Sequence, residues 1–372
     1  MIMPETGVTM SNSIKAELKK PSELSDSERQ AWTAFTDADP SLASPYFRLE
    51  FAECCEEARA DTRVLVVREN GQIAGFLPLQ MGKIGYARPL AGPLSDVHGV
   101  IGEPGRAVNL RAWLKAGGVP LFEFHSALGL QPCWAGHSVV QDGSWIIDIS
   151  NGYDAFEQAR ADLEPKAFRN IRARRRKLED MDGGFEFRMD DDRPEAFATM
   201  REWKSQQYCR TGVFDVFSVG WTTDLLKALL KKRTDRFRGT CSTLNVDGKI
   251  AAVHVGMGSE SRSHYWFPAY DPAFNKLSPG LLLLLEKVRF AASDGRDSVE
   301  LGPGDYDFKR NLSSSQIPLA QGCILTASAP ATLRGAARSL ADACEKAPLG
   351  NVGQLPRRAL RKADQLASFY AW

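Results

Sequence analysis

Thr62 to Arg68 and Ile73 to Gln80 are rich in apolar and β-branched residues and are separated by Glu69-Asn70-Gly71, which predicts two strands joined by a tight Asn-Gly turn. The pattern returns at Ser242 to Val246 and Ile250 to Gly256, around Asp247-Gly248. Asn70-Gly71-Gln72-Ile73-Ala74 aligns with Asp247-Gly248-Lys249-Ile250-Ala251. Ser27 to Asp37 and Tyr46 to Ala60 read as helices before the first hairpin, and residues 196–210 as a helix before the second. One hairpin repeat is common by chance, but the shared order of helix then hairpin predicts two copies of one α/β unit.

The second copy continues with a pattern that the first lacks. His264-Tyr265-Trp266-Phe267 favours a strand, which Tyr270-Asp271-Pro272 ends because proline cannot donate to a ladder. Leu277-Ser278-Pro279-Gly280 then predicts a helix start, with Ser278 as N-cap and proline at the first helical position, and the helix runs over Leu281 to Ala292. The first turn of a helix leaves N–H groups unpaired at the positive end of its dipole, so an anion such as a pyrophosphate is stabilised there. An ordinary helix start reads the same way. What distinguishes this one is the all-round apolar run Leu281 to Leu285, followed by the strand Val299-Glu300-Leu301 and the glycines of Gly302-Pro303-Gly304-Asp305-Tyr306-Asp307-Phe308-Lys309. In the first copy Gly82 to Pro93 is rich in Gly and Pro with no such helix start, so only the second copy is expected to bind the anion.

Between the copies, Ser144 to Ile149 predicts a strand closing the first unit. Lys166 to Lys177 predicts a helix with Phe168, Ile171 and Leu178 on its apolar side. Its basic side chains, Arg169 and Arg172 among them, form either a solvated face or an anion-binding wall. Lys204, Gln207 and Tyr208 lie near the end of the 196–210 helix, before Gly212-Val213-Phe214.

A chain of 372 residues exceeds one small core, and two domains are the default. Lys plus Arg total 47 against 46 Asp plus Glu, so no global field favours DNA or a membrane. No stretch approaches the ~20 apolar residues of a membrane span, and the first residues lack a signal-peptide core, which together predict a cytoplasmic protein. Seven scattered cysteines fit reduced thiols, and neither they nor the five histidines have metal-ligand spacing, so no metal is expected. Residues 1–20 are expected to be loose. After Ile324, helices are predicted at Ala331 to Lys346 and Leu355 to Trp372. The second is basic with terminal aromatics, which suits either packing on the body or peripheral contact with the anionic inner membrane.

Tyr270-Asp271, Leu277 to Gly280 and Gly302 to Lys309 together resemble the CelD/BcsL-like acyltransferases, a branch of the GNAT superfamily associated with bacterial exopolysaccharide synthesis. The resemblance runs over roughly two thirds to three quarters of the chain. It extends more distantly to the Fem-type aminoacyltransferases. It implies an α/β fold of tandem GNAT-like units with mixed central sheets flanked by helices. The first unit would span 21–150, the second 151–325, and a basic helical extension 326–372. The usual GNAT pyrophosphate loop, Gln/Arg-x-x-Gly-x-Gly/Ala, is absent, so Asn275, Lys276, Leu277, Ser278, Gly280 and Leu281 would hold the acyl-CoA, with acetyl-CoA the expected donor.

A GNAT-type site implies direct attack by an amine on the thioester between two splayed strands. Asp271 is the candidate base or amine-orienting carboxylate, with a plain turn as its other reading and Asp305 as its rival. Tyr270 or Tyr306 would protonate the departing thiolate, and Lys309 would bind an acidic acceptor or a cofactor phosphate. The resemblance places Lys204, Gln207 and Tyr208 at the acceptor cleft. Cys209 and Cys241 have no activating histidine nearby in sequence. The expected activity is N-acyl transfer to a small or glycan-linked amine, an amino sugar above all. The alternatives are a tRNA-dependent Fem-type transferase and a non-enzymatic signalling protein. The last draws on Arg357, Arg361 and Asp364, whose RxxxR and RxxD spacings resemble cyclic di-GMP contacts.

Overall fold

A computed structural model describes residues 13–82, 85–181 and 184–326, with single positions beyond them, Phe369 among these. The chain enters with β1 (Ile14–Lys19), then α1 (Asp26–Ala38), α2 (Leu49–Ala58), β2 (Thr62–Glu69), β3 (Gln72–Met81) and β4 (Tyr86–Pro89). β5 (Ile101–Gly102), α3 (Leu110–Ala116), β6 (Leu121–Leu128) and β7 (Ser138–Asp148) follow. Two helices, α4 (Tyr153–Leu163) and α5 (Pro165–Glu179), lead to the second round: β8 (Phe185–Arg188), α6 (Pro194–Thr211), α7 (Gly220–Lys231), β9 (Phe237–Val246), β10 (Lys249–Ser259) and β11 (Arg262–Tyr270). It ends with α8 (Pro279–Ser293), β12 (Ser298–Gly302), α9 (Asp307–Leu312) and β13 (Ser315–Leu325).

Both hairpin turns have two positive-φ residues, Asn70 at +52° and Gly71 at +83°, then Asp247 at +49° and Gly248 at +73°. That twist matches the strands they join, and it is why Asn-Gly and Asp-Gly marked them. Residues 14–19, expected within a loose terminus, instead pair with β2 along their whole length and cover its edge. The helix expected from Tyr46 begins later, because Arg48 is extended (φ −79°, ψ 142°) between a 3₁₀ turn at Pro45–Phe47 and α2.

The thirteen strands among the described residues form one mixed sheet, in the order β1-β2-β3-β4-β6-β13-β7-β12-β11-β10-β9-β8, with β5 paired to β3. The two units exchange their last strands. β7, expected to close the first unit, pairs with β12 of the second, while β13 inserts between β6 and β7. The physical reason is available pairing: β13 offers both of its edges, one to β6 and one to β7, so the sheet is continuous across the two units.

Helices α1, α2, α6 and α7 contribute to a core that spans both units and includes Trp32, Phe51, Met200, Leu225 and Phe267. Phe369 joins this core: its ring lies 4.7 Å from that of Phe214, and its carbonyl accepts a 2.7 Å hydrogen bond from Trp221 Nε1. On the other face α3 covers the first unit, and α4, α5 and α8 cover the second. The all-round apolar run of α8 is accounted for by this burial, with Leu282 to Leu285 nearly inaccessible to solvent. Arg357, Arg361 and Asp364 lie outside the described residues.

Candidate active site

Parallel strands β11 and β12 pair through three residues, Arg262 with Ser298, Ser263 with Val299 and His264 with Glu300, and then part. Beyond this vertex β11 continues to Tyr270, and a 3₁₀ turn (Pro272–Leu277) leads to the N-terminus of α8. β12 ends at Gly302, whose φ of +72° turns the chain away. The outcome is a wedge between two strand ends, with a helix start at its mouth.

The first unit makes the same vertex, pairing Tyr86 with Leu121 and Ala87 with Phe122, but its wedge is filled. His98 N–H donates to Ser126 O at 3.0 Å, and Leu128 N–H donates to His98 O at 2.8 Å. The segment around His98 thus occupies the edge of β6 that would otherwise be open.

That same segment delivers Asp96 to the vertex of the second unit. His264 Nε2 lies 3.0 Å from Asp96 Oδ2, and His264 Nδ1 approaches Glu300 Oε2 at 3.6 Å, an ion-pair distance rather than a hydrogen bond. Glu300 also accepts from Ser44 Oγ at 2.6 Å and from Ser144 Oγ at 2.8 Å. Tyr46 packs edge-on to the His264 ring and donates to Leu94 O. Burial opposes charge on His264, but the hydrogen bond it donates to Asp96 and the neighbouring Glu300 outweigh it and raise its pKa to about 9. Burial likewise opposes charge on Glu300, and His264 with its other partners overcomes this and lowers its pKa to about 2. Both are fully buried, whereas the Asp96 side chain is 26% exposed and is the member of the group that solvent or a ligand can reach.

Opposite Asp96 stand α6 and α9. Lys309 is buried and donates to Gly302 O at 3.2 Å and Pro303 O at 2.5 Å, so it holds the end of β12; burial lowers its pKa, and Asp96 and Asp142 pull the other way. Lys204 donates to Gln207 Oε1 at 3.1 Å and sits 5.6 Å from the Tyr208 ring. Burial, then the charge of Lys309, lowers Lys204 to about 8. Tyr208 is raised by burial, with Asp215, Asp96 and Tyr306 adding to it. Lys204, Gln207, Tyr208, Lys309 and Tyr306 are therefore gathered at one cleft with Asp96. Tyr306 is exposed and stacks on Phe308.

At the helix start the arrangement differs in detail from the expectation. Ser278 is in the left-handed region (φ +52°, ψ 54°), and its side chain caps nothing. Its carbonyl instead accepts from Leu281 and Leu282 N–H, at 3.0 and 3.2 Å. Pro279 has no N–H, so Gly280 carries the free amide of the first turn among the described residues. Asn275 and Lys276 are exposed beside it, with Leu277 half-buried. The free amide, the dipole and the lysine fit a phosphate group. Asp271 accepts from Ala273 N–H at 2.8 Å, closing the turn in the manner of its plainer reading. Tyr270 is exposed beside Gly280. Asp305 pairs with Arg310 at the surface. Helix α5 packs against the 3₁₀ turn, as a wall near a donor would; Arg172 is paired with Glu157, while Arg169 has no ion-pair partner among the described residues.

Residues 165–310 match a family model described as an acetyltransferase (GNAT) domain. This stretch has the fold of a GNAT domain. It contains the wedge, the helix start and α6, but not Asp96. Among solved structures, FemX is similar at 13% identity and a TM-score of 0.55, over 79% of this chain and 95% of that one. The C-terminal domain of an Agrobacterium fabrum protein assigned as a lysylphosphatidylglycerol synthetase is similar at 13% identity and a TM-score of 0.50, over 84% and 96%. At such identities the likeness speaks for the fold. No curated protein matches the chain in sequence.

His264, Glu300 and Asp96 were not among the residues singled out from sequence. A signal for Glu300 existed: a lone carboxylate inside the apolar strand Val299-Glu300-Leu301 must be buried and therefore paired. Nothing local marked Asp96.

Proposed function

We propose that the protein is an N-acyltransferase that takes its acyl group from acyl-CoA, acetyl-CoA being the expected donor. Residues Asn275 to Leu281 would hold the donor phosphates, and an amine acceptor would enter between α6 and the end of β12. The observation that carries this reading is the parting of β11 and β12 immediately after the His264–Glu300 pair, beside the α8 start, where the first unit's equivalent is closed by His98.

The acceptor nitrogen attacks the thioester carbonyl, the carbon–sulfur bond breaks, and the amine proton passes to Asp96. His264, held between two carboxylates, donates to Asp96 and orients it. The leaving thiolate takes a proton from Tyr270 or Tyr306, the exposed tyrosines that flank the wedge. Asp271 is assigned to the turn. The resemblance to CelD/BcsL-like proteins favours an amino sugar of exopolysaccharide synthesis as acceptor.

Calorimetric titration of the full chain with acetyl-CoA tests this, beside Gly280→Glu. A Cβ at Gly280 comes 3.2 Å from Tyr270 Cδ1, an exposed ring able to move, so the variant folds while its carboxylate repels phosphate. Binding with a dissociation constant on the order of micromolar, lost in the variant, is expected. Absence of binding to folded wild-type protein overturns acetyl-CoA as donor and turns the titration to longer acyl-CoA and charged tRNA.

A further inference from the structure

Helix α6 carries two cations, Arg201 and Lys204, that no carboxylate pairs with among the described residues. Arg201 and Lys204 are one turn apart, with Tyr208 continuing the row. Arg201 makes no hydrogen bond or ion pair among the described residues, and its Nε is fully buried. Lys204 has one hydrogen bond, to a neutral amide, and faces a second ammonium, Lys309. The nearby carboxylates are otherwise engaged: Asp96 with His264, Asp215 with Phe217 N–H, and Glu202 with Gln206. Charges removed from water without a counter-charge are costly, and a bound anion relieves that cost.

We propose that Arg201 and Lys204 form an anion subsite, so that the acceptor is an amine that also bears a carboxylate or phosphate. This rests on the acyltransferase reading for its place in catalysis, but the subsite itself does not. Asp96 and the α6 pair then divide the acceptor: the carboxylate takes its ammonium end and the two cations take its acidic end. Two opposite charges on one small molecule, matched by opposite charges on the two walls, also fix which way it lies. An unmodified neutral amino sugar would leave Arg201 and Lys204 unanswered.

Inorganic phosphate and acetate, titrated against the full chain carrying Gly280→Glu, separate this site from the donor site, because that substitution closes the α8 start. Phosphate binding that persists in Gly280→Glu and weakens tenfold or more on adding Lys204→Met or, independently, Arg201→Met supports the subsite, provided circular dichroism shows each variant folded. Absence of phosphate and acetate binding in Gly280→Glu, or binding that both methionine variants leave unchanged, overturns it. The stronger of the two anions identifies the acidic group. A transfer assay with glucosamine and glucosamine 6-phosphate then reads the acceptor: wild type should favour the phosphorylated sugar tenfold or more in kcat/KM, and Lys204→Met should abolish the preference. If neither sugar is acetylated while phosphate binding behaves as expected, the amino-sugar acceptor fails and the anion subsite stands.

Discussion

Asp96 Oδ2 and His264 Nε2 lie 3.0 Å apart although 168 residues separate them in sequence, and they come from different units. The unit whose own wedge is filled thus supplies a carboxylate to the unit whose wedge is open. The filling segment does both, since His98 closes β6 and Asp96, two residues earlier, reaches the His264 ring. A fragment cut out at residues 165–310 would lack this carboxylate and both serine partners of Glu300, Ser44 and Ser144.

Asp96→Asn should lower kcat by about 10²–10⁴, the range typical of a lost general base, and leave acetyl-CoA affinity unchanged. Asp271→Asn should stay within about twofold of wild type, because an amide oxygen accepts from Ala273 N–H as the carboxylate does. Steady-state thiol release on the two variants checks both. Loss of activity in Asp271→Asn alone would return the base to the turn.

The His264–Glu300 pair gives the fold a defined pH dependence. His264 is raised from 6.5 to about 9, so its contribution to stability is complete below pH 6.5 and is lost as pH rises through 9. Glu300 is lowered from 4.5 to about 2, so its contribution is complete above pH 4.5 and is lost as pH falls toward 2. Asp96 and Tyr46 also face the ring. The stability gap between wild type and His264→Gln should therefore be widest near pH 5 to 6.5 and shrink as pH passes 9, in urea unfolding followed by tryptophan fluorescence. A gap constant from pH 6 to 10 would show that the ring acts by packing alone.

Gly302 tests the vertex from its other side. Its φ is +72°, and a Cβ there would come 2.5 Å from Asp96 Oδ2. Gly302→Ala should cost about 1–2 kcal/mol of stability through the backbone and displace the carboxylate as well. In the transfer assay kcat should fall while acetyl-CoA affinity, read by calorimetry, holds. An alanine variant with unaltered kcat would place Asp96 outside the chemistry.

What the sequence made legible was local. Asn70-Gly71 and Asp247-Gly248 name their turns because few residues tolerate two successive positive φ values, and Ser278-Pro279-Gly280 names a helix start because proline suits the first helical position. The conformation of Ser278 was not legible, since serine favours an extended cap and the turn before it imposes the left-handed one. Nor was the insertion of β13 between β6 and β7, because pairing partners in a sheet depend on which edges the rest of the chain leaves free. Asp96 lies in a segment with no periodicity, and its role exists only through contact with a strand of the other unit. Lys309 could be noticed as a cation at a strand end, but whether it meets a ligand or two backbone carbonyls depends on the turn at Gly302.

Lys287 carries the last prediction. It lies on the sheet-facing side of α8, fully buried, with Thr240 Oγ1 at 3.1 Å and the Met189 sulfur at 4.0 Å. Burial, then the charges of Arg296 and Arg238, lowers its pKa from 10.5 to about 7. Below pH 7 the folded protein must carry an ammonium in an apolar setting, whereas above 10.5 the amine is neutral in both states, so the destabilisation is greatest at low pH and disappears as pH rises. Lys287→Met keeps the length and apolar stem of the side chain and removes the charge. It should stabilise the protein at pH 6, by an amount on the order of 4 kcal/mol less the lost hydrogen bond to Thr240. The gain should vanish near pH 10.5 in urea unfolding. If the methionine variant is instead less stable than wild type at pH 6, the ammonium is answered by a group that the packing around α8 does not display.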